Sequence, residues 1–247
     1  MLVKICGITR LQDAEAAVAL GARAIGFVLW PESPRCVDRE NARAIAEALP
    51  EGVMKVGVFV NQPIAWVNET AALVGLTDVQ LHGDETWEFA AQVTRPVIKA
   101  TSLREGAPSI ESWPAETAWL VDAHDPVRRG GTGSTGNWAA AATLARQRRV
   151  WLAGGLTPDN VGDAVTRVRP FGIDVSSGVE SAPGVKDHDK LTALFDALSS
   201  LAVERDPSAG SGSSRARPKR ERLRSNARSF ARRGSASRPG TKTGTKK

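Results

Sequence analysis

The chain has 247 residues, with 33 basic and 27 acidic side chains, seven Trp, two Cys and no Tyr. This length allows one large domain or two small ones with a substantial core. Two cysteines exclude a disulfide scaffold, three scattered histidines predict no metal site, and no apolar run reaches the roughly 20 residues of a membrane span. The first ten residues, MLVKICGITR, lack the pattern of a signal peptide. We therefore expect a soluble cytoplasmic protein.

The charge is divided unequally along the chain. Residues 207–247 hold 13 of the basic residues and one acidic residue, Glu221, so that this segment has a net charge of +12 and residues 1–206 have −6. The bulky apolar residues of the segment are Leu223 and Phe230, which are too few to offset the entropy of ordering it. We predict a folded domain at 1–206 and a disordered basic tail at 207–247.

Short β-rich runs alternate with Ala-rich amphipathic stretches along the domain. The pattern predicts eight strands, at residues 2–6, 24–29, 54–60, 78–82, 96–100, 118–123, 150–154 and 171–176. It predicts seven helices, at residues 11–20, 38–48, 63–74, 84–93, 137–147, 158–168 and 187–200. Pro63 and Asp187 are start signals for two of them. The fifth unit is irregular, because Pro108 and Pro114 interrupt any helical pattern there.

This alternation of strands and helices indicates a parallel sheet with helices outside it. Eight such units within residues 2–200 fit a (β/α)8 TIM barrel, an α/β fold, with an irregular fifth unit. An open doubly wound sheet has the same local pattern and is the alternative.

Polar residues stand at several predicted strand ends, which is where a barrel carries its chemistry. Cys6 ends the first strand, His82 the fourth and Asp122 lies at the end of the sixth. A thiol, an imidazole and a carboxylate at separate strand ends suggest proton transfer. The alternative is that each is an ordinary loop residue and that Cys6 is a small buried apolar side chain.

Two glycine-containing loops predict a phosphate site. Gly154 and Gly155 follow the seventh strand, and Ser176, Ser177 and Gly178 follow the eighth. Glycine lets backbone N–H groups approach an anion, and a helix N-terminus adds partial positive charge. The loops after strands seven and eight are the usual phosphate site of barrels. The alternative is that both are ordinary tight βα turns, which have the same composition. We therefore predict a small phosphorylated ligand as the partner.

Seven motifs occur in order along residues 2–200. They are VKICGIT at 3–9, GFV with SPR at 26–28 and 33–35, VGVFVN at 56–61, VQLHG at 79–83, GGTG at 130–133, LAGGL at 152–156 and DVSSGVE at 174–180. Together they resemble the phosphoribosylanthranilate isomerase family, the (β/α)8 enzymes of tryptophan biosynthesis. Two departures are Gly136-Asn137-Trp138 in place of the family's Phe-Asp-Trp, and Trp30 in place of a Tyr common after the second strand.

The resemblance implies an aldose–ketose isomerase that needs no cofactor and no metal. It would convert N-(5-phosphoribosyl)anthranilate into 1-(2-carboxyphenylamino)-1-deoxyribulose 5-phosphate by an Amadori rearrangement. Such a reaction needs an acid for the ribose ring oxygen and a base for the proton on C2. The family's base and acid map onto Cys6 and Asp122. Lys4 precedes Cys6 by two residues on the same strand face and can supply positive potential.

The resemblance implies roles for three further residues. Arg35 would bind the anthranilate carboxylate as a bidentate fork, Asp174 would orient a ribose hydroxyl and His82 would line the pocket. A solvated loop charge is the alternative for Arg35. Asp125 is a rival for the acid, but strand alternation places it in the loop beyond Asp122.

Two other functions compete with this hypothesis. An isomerase that also accepts the analogous aminoaldose of histidine synthesis would show two similar halves and paired catalytic aspartates, whereas this chain has Cys6 and no half-chain repeat. Nucleic-acid binding through the tail at 207–247 would follow from its 13 cations, but Phe230 is its sole aromatic residue. A solvated extension without a selected role is the third interpretation of the tail. The sequence predicts no membrane partner and no particular oligomeric state.

Overall fold

The structure is a computed structural model, and it describes residues 1–103, 110–122 and 138–205. Four sequence features lie outside the described residues: Asp125, the motif at 130–133, the departure at 136–137 and the tail at 207–247. The division of the chain at residue 206 therefore stays a prediction.

Eight parallel strands close into a barrel in chain order, with the last strand paired to the first. They are β1 (Leu2–Cys6), β2 (Ala24–Val28), β3 (Met54–Phe59), β4 (Asp78–Leu81), β5 (Val97–Thr101), β6 (Ala118–Asp122), β7 (Val150–Ala153) and β8 (Gly172–Val175). The predicted (β/α)8 barrel is confirmed. The open doubly wound sheet is excluded, because the pairing of β1 with β8 leaves no edge strand.

The described ranges contain seven α-helices. They are α1 (Leu11–Leu20), α2 (Arg39–Ala48), α3 (Ile64–Val74), α4 (Trp87–Ala90), α5 (Trp138–Ala145), α6 (Val161–Val168) and α7 (His188–Arg205). Asp187 caps α7 as predicted, since its Oδ1 accepts from the backbone N–H groups of Asp189 and Lys190, both at 3.1 Å. The irregular fifth unit is confirmed by a 3₁₀ turn, Ile110–Ser112, among its described residues. No helix in the described ranges combines the length and apolarity needed to cross a bilayer.

Helix α4 is much shorter than the predicted helix at 84–93. The Glu85 side chain turns back and accepts hydrogen bonds from the backbone N–H groups of Asn61 and Gly83, at 2.8 and 2.9 Å. It also pairs with buried Lys99 at 3.0 Å. These bonds hold the residues before Thr86 in a loop, and Thr86 then caps the helix.

Helix α6 starts at Val161, three residues later than predicted. Asn160 Oδ1 accepts from the backbone N–H of Thr157 at 2.9 Å, and its Nδ2 donates to the carbonyl of Gly155 at 2.9 Å. This local side-chain turn competes with helix formation and delays the first helical residue.

A hairpin that the sequence analysis did not predict follows the last barrel strand. After the 3₁₀ turn Ser177–Val179, β9 (Glu180–Ala182) and β10 (Val185–Lys186) pair antiparallel. The Thr9 hydroxyl donates to the carbonyl of Gly184 at 2.6 Å and holds the hairpin turn beside the end of β1.

Apolar side chains form an inner and an outer layer. Alternate residues of the strands point into the barrel, where Val56, Leu120 and Trp151 are at most 1 % exposed. The other strand faces pack under the helices, where large residues such as Phe59 are buried. Lys4 is 0 % exposed inside the barrel, and a buried ammonium must be paired.

Candidate active site

A cavity of about 340 Å³ opens at the carboxyl ends of the barrel strands, a size typical of small-molecule sites. All ten residues predicted for the site line it. They are Cys6, Arg35, His82, Asp122, Gly154, Gly155, Asp174, Ser176, Ser177 and Gly178. The structure therefore brings together residues from six of the eight βα units.

A second cavity, of about 560 Å³, lies at the opposite end of the barrel. Its lining comes from the amino ends of the strands and includes the aromatic rings of Trp87, Trp151 and Phe171. In barrel enzymes the amino-terminal end serves stability and the carboxyl-terminal end serves chemistry. We therefore place the candidate active site in the smaller cavity.

Cys6 reaches the cavity because side chains alternate along β1. Ile5 packs under the helices, and Lys4 and Cys6 face inward. A Cβ atom on Gly26, the residue beside Cys6 in β2, would lie 2.7 Å from Cys6 Sγ, so glycine makes room for the thiol. Burial raises the pKa of Cys6 above its ordinary value, although Lys4 opposes the rise. The neutral thiol is therefore the resting form at pH 7.

A hydrogen-bonded chain crosses the barrel below Cys6. Lys4 Nζ donates to Asp174 Oδ1 at 3.0 Å and to Gln80 Oε1 at 2.9 Å. Burial works against the charge of Lys4, but Asp174 and Cys6 together outweigh it and raise the pKa of the ammonium. Gln80 Nε2 lies 2.9 Å from His82 Nδ1. Since Gln80 Oε1 is the acceptor of Lys4, its Nε2 is the donor and His82 Nδ1 the acceptor.

His82 is therefore held in one tautomer. Burial lowers its pKa, so the imidazole is neutral at pH 7 and carries its proton on Nε2. Such a ring can donate one hydrogen bond into the cavity. We predicted His82 as a lining residue from the sequence but did not predict Gln80, which fixes the ring and lies in the same VQLHG motif.

Asp122 ends β6 and lines the cavity on a different side from Cys6. In the closed barrel β6 is separated from β1 by β7 and β8 in one direction and by four strands in the other. A thiol and a carboxylate that reach one cavity from distant strands can address different atoms of a bound molecule.

Arg35 follows β2 and lies over the end of β1. Its Cδ would be 2.8 Å from a Cβ atom on Gly7, whose positive φ of 73° also favours glycine. Nε lies 3.0 Å from both Glu180 oxygens, and Nη2 lies 2.8 Å from Glu180 Oε2. The bidentate edge that the sequence analysis reserved for a substrate carboxylate is thus on Glu180 in this structure. Trp30 and Ser33 line the same part of the cavity.

Glu180 and Lys186, which we did not predict as site residues, form a buried ion pair beside Arg35. Lys186 Nζ donates to Glu180 Oε1 at 2.7 Å and to the carbonyl of Cys6 at 2.6 Å. Burial works against the charge of Glu180, but Arg35 and Lys186 outweigh it and lower the pKa of the carboxyl. Glu180 stood at the end of a quoted motif, whereas Lys186 is 180 residues from Cys6 in sequence and gave no local signal.

The two glycine loops meet at the rim of the cavity. Gly154 and Gly155 have positive φ angles of 96° and 63°. A Cβ atom on Gly178 would overlap the carbonyl oxygen of Leu156, so the loops after β7 and β8 pack together without room for a side chain. The backbone N–H of Gly155 donates to no residue within the described ranges. Free N–H groups on adjoining loops are suited to an anion.

The closed (β/α)8 barrel has a thiol, carboxylates and a neutral imidazole around a cavity at its carboxyl-terminal end. This arrangement is typical of TIM-barrel enzymes. The family model described as N-(5'phosphoribosyl)anthranilate (PRA) isomerase matches residues 3–197. The chain belongs to this family.

Relatives and solved structures agree with the family match. The N-(5'-phosphoribosyl)anthranilate isomerase of Geobacter metallireducens is 52% identical over 191 residues, 76% of this chain and 94% of its own. The phosphoribosyl anthranilate isomerase structure from Thermus thermophilus has 48% identity and a TM-score of 0.72, and covers 81% of this chain and 100% of its own. A family structure in complex with reduced 1-(o-carboxyphenylamino)-1-deoxyribulose 5-phosphate has 38% identity and a TM-score of 0.70, with 81% and 99% covered.

Proposed function

We propose that this protein isomerises N-(5-phosphoribosyl)anthranilate to 1-(2-carboxyphenylamino)-1-deoxyribulose 5-phosphate in L-tryptophan biosynthesis. The family match over residues 3–197 is the observation that carries the proposal. It is supported by the related structure that holds the reduced form of this product. A phosphorylated small molecule is accordingly the proposed partner, and the cytoplasm the proposed location.

The substrate phosphate would bind to the two glycine loops. The N–H of Gly155 and those that begin the 3₁₀ turn, Ser177 and Gly178, border the same cavity. The backbone at these positions supplies donors without a cationic side chain, as is common for phosphate sites built from main-chain amides. Phosphate bound there would direct the ribose toward Cys6 and Asp122.

Asp122 would act as the acid of the first step. Its proton passes to the ribose ring oxygen, the C1–O bond breaks, and the nitrogen lone pair forms the C1=N bond of an open-chain Schiff base. The catalytic carboxyl is left as a carboxylate. Lys4 holds Asp174 Oδ1, so the second carboxylate oxygen of Asp174 could accept a hydrogen bond from a ribose hydroxyl.

Cys6 would act as the base of the second step. Its thiolate removes the proton from C2, the C2–H electrons form the C1=C2 bond of an enolamine, and the C1=N electrons return to nitrogen. The Cys6 thiol would then return a proton to C1, and the C2 hydroxyl proton would pass to the Asp122 carboxylate, which gives the aminoketose and restores both groups. Lys4 supports the transient thiolate, because its ammonium lowers the pKa against the effect of burial. His82 would donate its Nε2 proton to a substrate oxygen.

The test is to mix the purified protein with phosphoribosylanthranilate and follow the loss of its fluorescence. We expect turnover by the parent protein, with formation of a product that co-elutes with the authentic aminoketose. The double variant Cys6→Ser/Asp122→Asn is the control for spontaneous decay. A parent rate equal to that of the double variant would overturn the proposal.

A further inference from the structure

A buried ion pair stands behind the cavity on the β9–β10 hairpin. Glu180 and Lys186 are 7 % and 3 % exposed, and the roles described above for proton transfer use neither of them. Removing two charges from water is unfavourable unless the geometry is good and further hydrogen bonds complete it. The partners of the pair therefore indicate what it does.

The Glu180 carboxylate is fully engaged by donors from three directions. It accepts hydrogen bonds from Arg35 Nε and Nη2, from Lys186 Nζ at 2.7 Å, and from the backbone N–H of Gly184 at 3.3 Å. A guanidinium held along one edge by a carboxylate has a fixed plane. The remaining nitrogen, Arg35 Nη1, donates to no residue within the described ranges, and Arg35 lines the cavity.

Lys186 ties this cluster to the ends of two barrel strands. Besides Glu180, its Nζ donates to the carbonyl of Cys6 at 2.6 Å and lies 3.4 Å from the carbonyl oxygen of Ser176. One ammonium thus contacts the main chain of the proposed base and the first residue of the proposed phosphate loop.

The cluster of Arg35, Glu180 and Lys186 also has a definite charge. With Lys186 protonated, two cations and one carboxylate leave a net charge of +1 at the wall of the cavity. Burial lowers the pKa of Lys186, and Glu180 opposes that fall. The neighbouring pair of Lys4 and Asp174 is neutral as a unit. Without Lys186, Glu180 would cancel the charge of Arg35 and leave nothing to attract an anionic ligand group.

We propose that Glu180 and Lys186 are positioning residues for the reaction. Glu180 holds the plane of Arg35 so that Nη1 is presented to the substrate carboxylate. Lys186 fixes the main chain of Cys6 and supplies the charge that keeps the cluster at +1. The inference rests on the proposed function, because it names what Arg35 binds there.

The first test is the Glu180→Gln variant with two ligands. One ligand is reduced 1-(o-carboxyphenylamino)-1-deoxyribulose 5-phosphate, and the other is the same compound without its carboxylate. Glutamine keeps the size of the side chain but offers one acceptor oxygen instead of two, so the plane of Arg35 is no longer fixed. The substitution also raises the charge of the cluster from +1 to +2, which by itself would strengthen binding of the carboxylate ligand, so weaker binding reports the lost orientation of Arg35. We expect the carboxylate ligand to bind about 10-fold more weakly and the other ligand to change less than about twofold. Equal weakening of both, or of neither, overturns the role of Glu180.

A double variant separates positioning from a direct contact. In an Arg35→Ala background, Glu180 remains paired with Lys186, and Glu180→Gln should weaken the carboxylate ligand by less than about twofold further, because residues that act through one another are not additive. A full additional loss would show that Glu180 acts on the ligand by another route and would overturn the inference.

The Lys186→Met variant tests the second half of the proposal through pH dependence. The charged groups facing Cys6 are Lys4 and Asp174 inside the barrel, and Arg35 and Lys186 behind it. Loss of Lys186 removes a cation that favours the thiolate, so the rising limb of kcat/KM should move to higher pH. Lys190→Met is the matched control. Among the described residues Lys190 Nζ donates to the carbonyl of Glu180 and pairs with the Asp187 side chain, and it has no polar contact with Cys6, so the limb should stay in place.

Each outcome bears on one claim. If the parent protein neither turns over phosphoribosylanthranilate nor binds the reduced compound, the proposed function fails first. If the parent does both and the limb is unmoved in a Lys186→Met variant that still binds ribose 5-phosphate, the role of Lys186 alone fails. Should Lys186→Met not fold, Lys186→Gln, which removes the charge but keeps a polar side chain, takes its place with the same expected shift of the limb. Glu180→Gln and the Arg35 double variant decide the role of Glu180.

Discussion

Proton transfer at this site would depend on two side chains, Cys6 and Asp122, and their substitution should affect rate more than affinity. We expect Cys6→Ser and Asp122→Asn each to lower kcat by at least ~10²-fold, the scale of a lost general base or acid, with little change in binding of the reduced product. Steady-state kinetics and ligand titration measure the two effects. Asp125→Asn is the control and should be mild. If Asp125→Asn loses activity and Asp122→Asn keeps it, the assignment of the acid to Asp122 is wrong.

The pH dependence of activity should follow the Cys6 thiol. The base works only as thiolate, so kcat/KM should rise with pH until Cys6 is ionised. Because burial raises the pKa of Cys6, the limb should extend above the ordinary thiol value of about 8.5. Alkylation by iodoacetamide in a Cys36→Ala background should show the same apparent pKa, since the thiolate is the reactive form. A plateau of both rates below pH 8 would contradict this assignment.

At the scale of elements, substitution of Gly155 in the loop after β7 should be more harmful than substitution of Ser177 in the loop after β8. Gly155 has a φ of 63°, which a β-branched residue adopts only with strain, and a side chain there would displace the proposed phosphate donors. We expect Gly155→Val to raise the inhibition constant of inorganic phosphate far more than Ser177→Ala, which removes one hydroxyl. Competition by phosphate that is equally strong against Gly155→Val and the parent would exclude this loop from the site.

The N-terminus of α7 makes a separate prediction about stability. Asp187→Ala removes the carboxylate that accepts the N–H groups of Asp189 and Lys190. Loss of an N-cap costs about 1 kcal/mol, so the Tm should fall by a few degrees. Asp196→Ala, an exposed change later in the same helix, should stay within about 0.5 kcal/mol of the parent. An equal fall in both variants would show that capping is not the cause.

The elements that the sequence predicted correctly are those whose signals are local. Strand–helix alternation was sufficient for the eight strands, and Asp187 marked the start of α7. The shortened α4 was beyond such reasoning, because Glu85 bonds to residues of another loop and to Lys99 of another strand. The positions of Cys6 and Asp122 at the cavity followed from the predicted strand ends, whereas the contact of Lys186 with Cys6 depends on closure of the whole barrel.

At the scale of the whole molecule, the residues that line the proposed site all precede residue 206. We therefore expect removal of 207–247 to leave turnover within about twofold, with no effect of EDTA on either form. Deletion removes a charge of +12, so any salt-sensitive retention on DNA should disappear with it. Assays of isomerase activity and DNA retention on both forms measure this. Activity that needs the tail, or that EDTA abolishes and a divalent ion restores, would contradict the prediction.

The hydrogen bond between Lys186 and the carbonyl of Cys6 joins residues that are synthesised far apart in time during translation. At about 5–20 residues per second, roughly 10 to 40 seconds separate the synthesis of Cys6 from that of its partner. Asp174, which pairs with Lys4, is also made late. The nascent chain therefore carries its proposed base long before the groups that organise it exist. Every ribosome-bound chain that ends before Lys186 should therefore lack isomerase activity, however much of the barrel it has already formed.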